Sequence, residues 1–220
     1  RWRDQLKSYA EYADWPGPSS IPGVDRVAKW LDSNRPAQGR AGILHGDYHL
    51  ANVMYACDSG ELAAIVDWEL STIGDPLLDL GWLLATWPDP LDGDAPSVQP
   101  WDGFPSGGEL VEQYGKFSDR DLSAVEWYAV LACYKLGILL EGSHARASAG
   151  AAPKDVGDRL HAKTISLFSR ALRWIGGNLR GSTMIGKSDA GFPSDHGLNF
   201  WNRSRLSSRI YSIRDNRNLD

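Results

Sequence analysis

The sequence predicts an α+β fold that is mainly helical, with short β-hairpins carrying a loop rich in acidic residues. Apolar residues recur at three- and four-residue spacing through most of the chain, the period of helices that bury one face. Two short apolar runs, residues 52–56 and 62–67, are separated by Asp58-Ser59-Gly60, which suits a hairpin turn. Around that hairpin, Asp and Asn gather at strand ends, where a site with chemistry to perform would place them.

The elements follow in order. Trp2, Leu6, Tyr9 and Ala13 predict an amphipathic helix over 2–14, broken by Pro16-Gly17-Pro18-Ser19-Ser20. Val24, Val27, Ala28 and Leu31 mark a second helix, stopped at Asn34-Arg35-Pro36. Ile43 and Leu44 form a short strand that runs into His45-Gly46-Asp47, and the hairpin comes next. Asp75-Pro76 supplies a capping carboxylate and a proline at a helix start. The helix behind it, through Leu77, Leu80, Trp82, Leu84 and Trp87, is apolar nearly all round and should be buried. Residues 88–108 are rich in Pro, Asp and Gly and read as a long loop, a kind of segment that often serves function. Helices are expected at 108–117, 119–147 and 153–176, the last stopped by Gly176-Gly177.

At 220 residues the chain fits one domain, expected over 1–180 with its catalytic loop at 43–69. Beyond residue 181, Ser, Arg, Asn and Gly dominate, so 181–220 reads as a poorly defined tail, disordered or foreign to the domain. Ten Trp and 42% hydrophobic residues are enough for a real core. A net charge of −5 gives no reason to expect nucleic acid or an anionic membrane as partner. No apolar run reaches the roughly 18–20 residues that span a bilayer. Arg1-Trp2-Arg3-Asp4-Gln5 lacks the layout of a signal peptide and reads as the middle of a longer chain. Cys57 and Cys133 lack metal-like spacing; one disulfide is open to them, but two reduced thiols in a cytoplasmic protein is the favoured expectation.

The chemistry concentrates in three stretches: 45–52 (His45-Gly46-Asp47-Tyr48-His49-Leu50-Ala51-Asn52), 65–69 (Ile65-Val66-Asp67-Trp68-Glu69) and 74–80 (Gly74-Asp75-Pro76-Leu77-Leu78-Asp79-Leu80). The hairpin should set Asn52 beside Asp67, with Asp47 in the adjoining loop. Two carboxylates and an amide oxygen suit magnesium, a hard cation that completes its shell with phosphate and water. The third group can then orient a hydroxyl and receive its proton, the division of labour that phosphoryl transfer requires. One Asp at a strand end more often forms a turn, and Asp75 reads as an N-cap only. Asp79, on an apolar helix, needs a partner for its charge. His144 and His161 fall on expected helices and read as solvated or packed, and Trp82, Trp87 and Trp127 as core.

Asp47, Asn52 five residues later and an Asp closing the next hairpin resemble the protein-kinase set of catalytic Asp, metal-binding Asn and metal-binding Asp. His45-Gly46-Asp47 with His49, and Gly74-Asp75-Pro76 followed by Asp79-Leu80, is similar to the aminoglycoside phosphotransferase and choline kinase family. Asp67-Trp68-Glu69 with 71–76 looks closest to the branch associated with acyl-CoA dehydrogenases. The resemblance implies the C-terminal lobe of a protein-kinase-like fold. It implies an enzyme using ATP (or GTP) and Mg2+ to phosphorylate a small-molecule hydroxyl acceptor. It makes Asp47 the base, Asn52 and Asp67 the magnesium and nucleotide ligands, and His45 and Asp79 braces of the loop, with His49 and Glu69 as further candidates.

Two departures stand out. Only 44 residues precede His45, and they read as helical, so the N-terminal lobe is expected to be absent and this fragment inactive without it. The family's proline after the second His is Leu50 here. Two rival readings stay open: a non-catalytic lobe acting as a binding module, and a metal-dependent hydrolase built on His45, Asp47 and His49, which is short of imidazoles for zinc.

Overall fold

The computed structural model describes residues 2–37, 39–89, 91–92, 103–177 and 179. The tail expected over 181–220 and Trp101 of the long loop lie outside the described residues. The described chain runs α1 (Trp2–Ser8), α2 (Val24–Ser33), β1 (Gly42–Leu44), β2 (Val53–Tyr55), β3 (Leu62–Ile65), β4 (Thr72–Gly74), α3 (Leu77–Thr86), α4 (Gly107–Phe117), α5 (Val125–Ser148) and α6 (Lys154–Ile175). It is mainly helical with two small sheets, as expected.

The centre of the core is α5, which packs against α6 and α3 and receives α1 and α2 on its other sides. Val27, Val130, Ile138, Leu167 and Phe168 are fully enclosed there. The contact between α3 and α5 is close enough to demand a glycine. A Cβ on Gly81 would stand 2.6 Å from the backbone of Tyr128, so any side chain would push α3 off α5. That proximity matters because α3 carries the residues that hold the loop at 45–47.

Both sheets are antiparallel pairs. The hairpin β2–β3 pairs Val53 with Ile65 and Met54 with Ala64, and shifts register between Met54 and Tyr55. Its turn is closed by Gly60, whose N–H donates to the Ala56 carbonyl at 2.8 Å. The second pair is no hairpin: β1 and β4 enclose the first, with Ile43 opposite Ile73. Sequence reading missed β4, since three residues are too short to show an alternating pattern.

Two helices differ from expectation at their starts or ends. The first was expected over 2–14 but stops at Ser8 and tightens into a 3-10 turn over Tyr9–Glu11. There Tyr9 is drawn against α5, its hydroxyl donating to the Ile138 carbonyl at 3.0 Å. Helix α5 was expected from 119 but begins at Val125. The Asp121 carboxylate takes the Ser123 N–H at 2.9 Å and its hydroxyl at 2.8 Å, a local turn that competes with helix. By contrast α4 starts where expected, on a capping box of Ser106 and Glu109. Cys57 is exposed and Cys133 buried, and both are free thiols. No helix among the described residues is long and apolar enough to cross a membrane.

Candidate active site

The chain leaves β1 at Leu44 and turns through His45-Gly46-Asp47 directly over α3. Asp79, from the first turn of α3, accepts the His45 N–H at 2.6 Å on one carboxylate oxygen and the Gly46 N–H at 2.9 Å on the other. A carboxylate on two successive backbone donors makes a pair of charge-assisted bonds and sets the loop's path. Gly46 has φ +88°, and an added Cβ would lie 2.4 Å from the Leu70 carbonyl oxygen, so this turn admits only glycine.

His45 is buried. Its Nδ1 faces the Asp47 N–H at 3.3 Å, and its Nε2 lies 2.8 Å from the Val66 carbonyl. Because a backbone N–H can only donate, Nδ1 accepts and the ring hydrogen resides on Nε2, donated to Val66. The imidazole thus ties the loop to the end of β3, and its ring centre lies 4.7 Å from that of Trp68, the two rings tilted by 51°. With both nitrogens engaged by backbone, His45 has no lone pair left for a metal, which removes the central ligand of a hydrolase site.

Asp47 is held on one side and open on the other. Its Oδ1 accepts the Trp82 indole N–H at 2.8 Å. Its backbone carbonyl accepts the Asn52 amide at 3.0 Å. The second carboxylate oxygen, Oδ2, lies 3.5 Å from both the Asn52 amide nitrogen and His49 Nε2, the outer limit of a bond. The side chain keeps 30% of its surface exposed. His49 also accepts the Ala51 N–H at 3.2 Å on Nδ1 and so starts the 3-10 turn over Leu50–Asn52, which forms here without the family's proline.

Asn52 is buried, and its amide hydrogens are directed at Asp47, leaving the carbonyl oxygen as the atom able to serve a cation. The Val66 N–H donates to the Asn52 backbone carbonyl at 3.0 Å, extending the hairpin ladder by one residue and setting Asp67 next to that pair. The strand itself ends at Ile65, two residues short of the expected Asp67. Asp67 has φ 68° and ψ 53°, a left-handed conformation that costs a non-glycine residue about 1–2 kcal/mol and concentrates at functional sites. It is exposed, and among the described residues no cation or hydrogen-bond donor engages its carboxylate. Glu69 follows in the exposed 3-10 turn Trp68–Leu70, likewise without a partner among the described residues.

A buried amide oxygen and an uncompensated exposed carboxylate, two hard oxygen donors at one hairpin mouth, fit a magnesium ion. Nearby phenols cannot act as bases at neutral pH: burial raises Tyr48, and raises Tyr55 to about 12. Asp75 does more than start α3. It accepts the Leu77 N–H at 3.0 Å and the Tyr128 hydroxyl at 3.0 Å, so it also joins α3 to α5. Burial and that bond raise the Tyr128 phenol to about 12.

Sequence reading missed Trp82, which it assigned to the core. The ring is buried, but its N–H reaches the Asp47 carboxylate. A usable signal existed: Trp82 lies three residues after Asp79, on the same helical face.

A loop aspartate, an asparagine five residues on and a second aspartate past the next hairpin, mounted on stacked helices, define the kinase-like class of phosphotransferases. Residues 1–128 match the family model described as the phosphotransferase enzyme family (APH), and the chain belongs to that family. A crystal structure of a protein assigned as an aminoglycoside phosphotransferase from Ralstonia eutropha JMP134 has the same fold, with a TM-score of 0.59 at 25% identity over 78% of this chain and 55% of that one. Among curated relatives, mouse acyl-CoA dehydrogenase family member 10 is 42% identical over 64 residues, 29% of this chain and 6% of that protein. Rat acyl-CoA dehydrogenase family member 11 is 31% identical over 134 residues, 58% of this chain and 17% of that protein. Probable acyl-CoA dehydrogenase IBR3 of Arabidopsis thaliana is 24% identical over 177 residues, 71% of this chain and 21% of that protein. The matches therefore span about a fifth or less of these relatives.

Proposed function

We propose that this chain is the helical C-terminal lobe of a small-molecule kinase, and that Asp47 is the base for the acceptor hydroxyl. The observation that carries this reading is the setting of the Asp47 carboxylate. One oxygen is fixed by Trp82 and the backbone is fixed by Asn52, while the other oxygen has only 3.5 Å contacts, to the Asn52 amide and His49, on a side chain that is 30% exposed. A base held in one orientation and open on one side is what an incoming hydroxyl requires. Asn52 and Asp67 would hold Mg2+, which when bound offsets the charge of the ATP (or GTP) phosphates. Asp79 and His45 fix the loop and touch neither reactant. His49, at the edge of Asp47, is placed to meet the acceptor, and Glu69 to meet the solvent side of the metal.

The strand pairs favour a second lobe as partner. Ile43 and Ile73 are 73% and 78% exposed, with Met54, Leu62 and Leu70 each at least half exposed. Such an apolar surface above a catalytic loop suits a nucleotide base and the strand-rich lobe that would cover it. Without that lobe the chain would hold only part of the nucleotide and would be inactive. The resemblance to the branch associated with acyl-CoA dehydrogenases favours a hydroxyacyl or other metabolic acceptor over a cationic one such as an aminoglycoside or choline.

Replacing Asp47 with Ala in the full-length protein should lower turnover by about 10²–10⁴-fold and leave nucleotide affinity nearly unchanged. Asp67→Ala should weaken Mg2+-nucleotide binding as well. Steady-state kinetics with nucleotide binding by calorimetry separates the two. Small and equal effects from both changes would sink the assignment, and a non-catalytic binding lobe would then be the better reading.

A further inference from the structure

Far from the 45–52 loop in sequence, the C-terminal part of α5 and the first half of α6 bring Glu141, His144 and His161 together, although the two histidines are 17 positions apart. One ligand-type atom from each lies within 4.8 Å of the other two. We propose that these three side chains bind a zinc-class divalent cation that pins α5 to α6. The inference is independent of the phosphotransfer reading.

Three features support it. Glu141 is fully buried in the core, where a carboxylate needs compensation. Its Oε1 accepts the Trp15 indole N–H at 2.8 Å and its Oε2 lies 2.8 Å from His161 Nδ1, so it is aimed and rigid. Next, the two imidazoles lie nearly parallel, with centroids 4.3 Å apart, and Nδ1 of His144 is buried with no hydrogen-bond partner. A hydrogen-bonded Glu141–His161 pair alone leaves that nitrogen unexplained, whereas a shared cation would use a second imidazole. Finally, the donor set is two nitrogens and a carboxylate, which favours zinc over the magnesium expected at the all-oxygen hairpin site.

Ligands of a tetrahedral zinc with bonds of about 2.0 Å stand roughly 3.3 Å apart. Glu141 Oε2 and His161 Nδ1 need to separate by only about half an ångström to reach that spacing, and the hydrogen between them leaves to solvent as the metal enters. Glu141 and His144 are three apart on α5, so they lie on one helical face. Asp158 and His161 repeat that spacing on α6. Water would complete the shell on the side of the partly exposed histidine rings.

The test uses the full-length protein, stripped by chelator and titrated with Zn2+ by calorimetry in saturating Mg2+, which blocks the hairpin site. One zinc per chain and a higher thermal midpoint are expected. His144→Ala and His161→Ala should each weaken binding by about 100-fold or more, while Asp67→Ala should leave it unchanged. No binding by the parent protein, or unaltered binding in both histidine variants, would overturn the proposal. Should either variant fail to fold, imidazole nitrogen NMR of the parent protein decides. Zinc-induced shifts confined to His144 and His161 support the site, and their absence rejects it.

Discussion

Around the loop at 45–52, Asp47, Asn52 and Asp67 sit in turns beside two strand pairs of three or four residues, with the exposed Ile43 and Ile73 on those strands. In the α5–α6 layer, Ile138, Leu167, Phe168 and Ala171 are sealed from solvent, and even the guanidinium of Arg170 is enclosed. The site has almost no core of its own, so its geometry is borrowed. The lender is α3. Its first turns give Asp79 and Trp82 to the loop, and its C-terminal end is gripped from α6 by Arg170, which donates to the carbonyls of Leu84, Ala85 and Trp87 at 2.8–3.0 Å. A cation on the last carbonyls of a helix satisfies orphan acceptors and the dipole together. Arg170 also pairs with Asp92, and Arg173 pairs with Asp89 and Asp92, so the charge is matched where it is buried.

This division between a firm scaffold and a borrowed site can be broken at either end. The largest stability effect is expected from Arg170→Ala, which removes the donor to three carbonyls at the end of α3 and one of the two arginines paired with buried Asp92: a loss of about 3 kcal/mol, read by urea unfolding, with activity per folded molecule largely kept. Asp79→Ala should cost about 2 kcal/mol, because two loop N–H groups lose their acceptor. Unlike the arginine change, it should also lower kcat sharply, and Asp79→Asn should restore part of both, since one amide oxygen can still accept. If Asp79→Ala unfolds the protein no less than Arg170→Ala, the site is not a separate, weaker unit.

Trp82→Phe sharpens the contrast, since it keeps most of the buried ring and deletes the N–H to Asp47. Stability should fall by about 1 kcal/mol and kcat by about tenfold, with the KM for nucleotide unchanged. An unchanged kcat would mean Trp82 is only packing. The smallest effect is chemical: a chromogenic disulfide reagent should titrate one thiol, Cys57, in the native protein. Burial raises the Cys133 thiol to about 12, so it should react only on unfolding. Prompt reaction of both would show α5 opening to solvent.

Much of the scaffold was legible because helices announce themselves locally. Val24, Val27, Ala28 and Leu31 share one face, and the helix they mark runs over Val24–Ser33. The Ser106–Glu109 box starts α4 where the pattern begins. The hairpin was legible from its turn, and the spacing of Asp47, Asn52 and Asp67 from the chemistry such a trio performs. Less legible were the partners that aim those groups. Nothing local distinguishes Trp82 as a donor from Trp82 as core, and β4 is too short to carry a pattern.

By itself the sequence determined the periodicities, the breakers and the order of the acidic and amide groups, all of which depend on neighbours a few residues apart. Only the tertiary structure decided what those groups touch. Asp79 meets the loop across 34 residues, Arg170 meets the end of α3 across more than 80, and His144 stacks on His161 because a turn folds α6 back along α5. Such contacts depend on how the chain returns on itself, and local composition carries no record of that path.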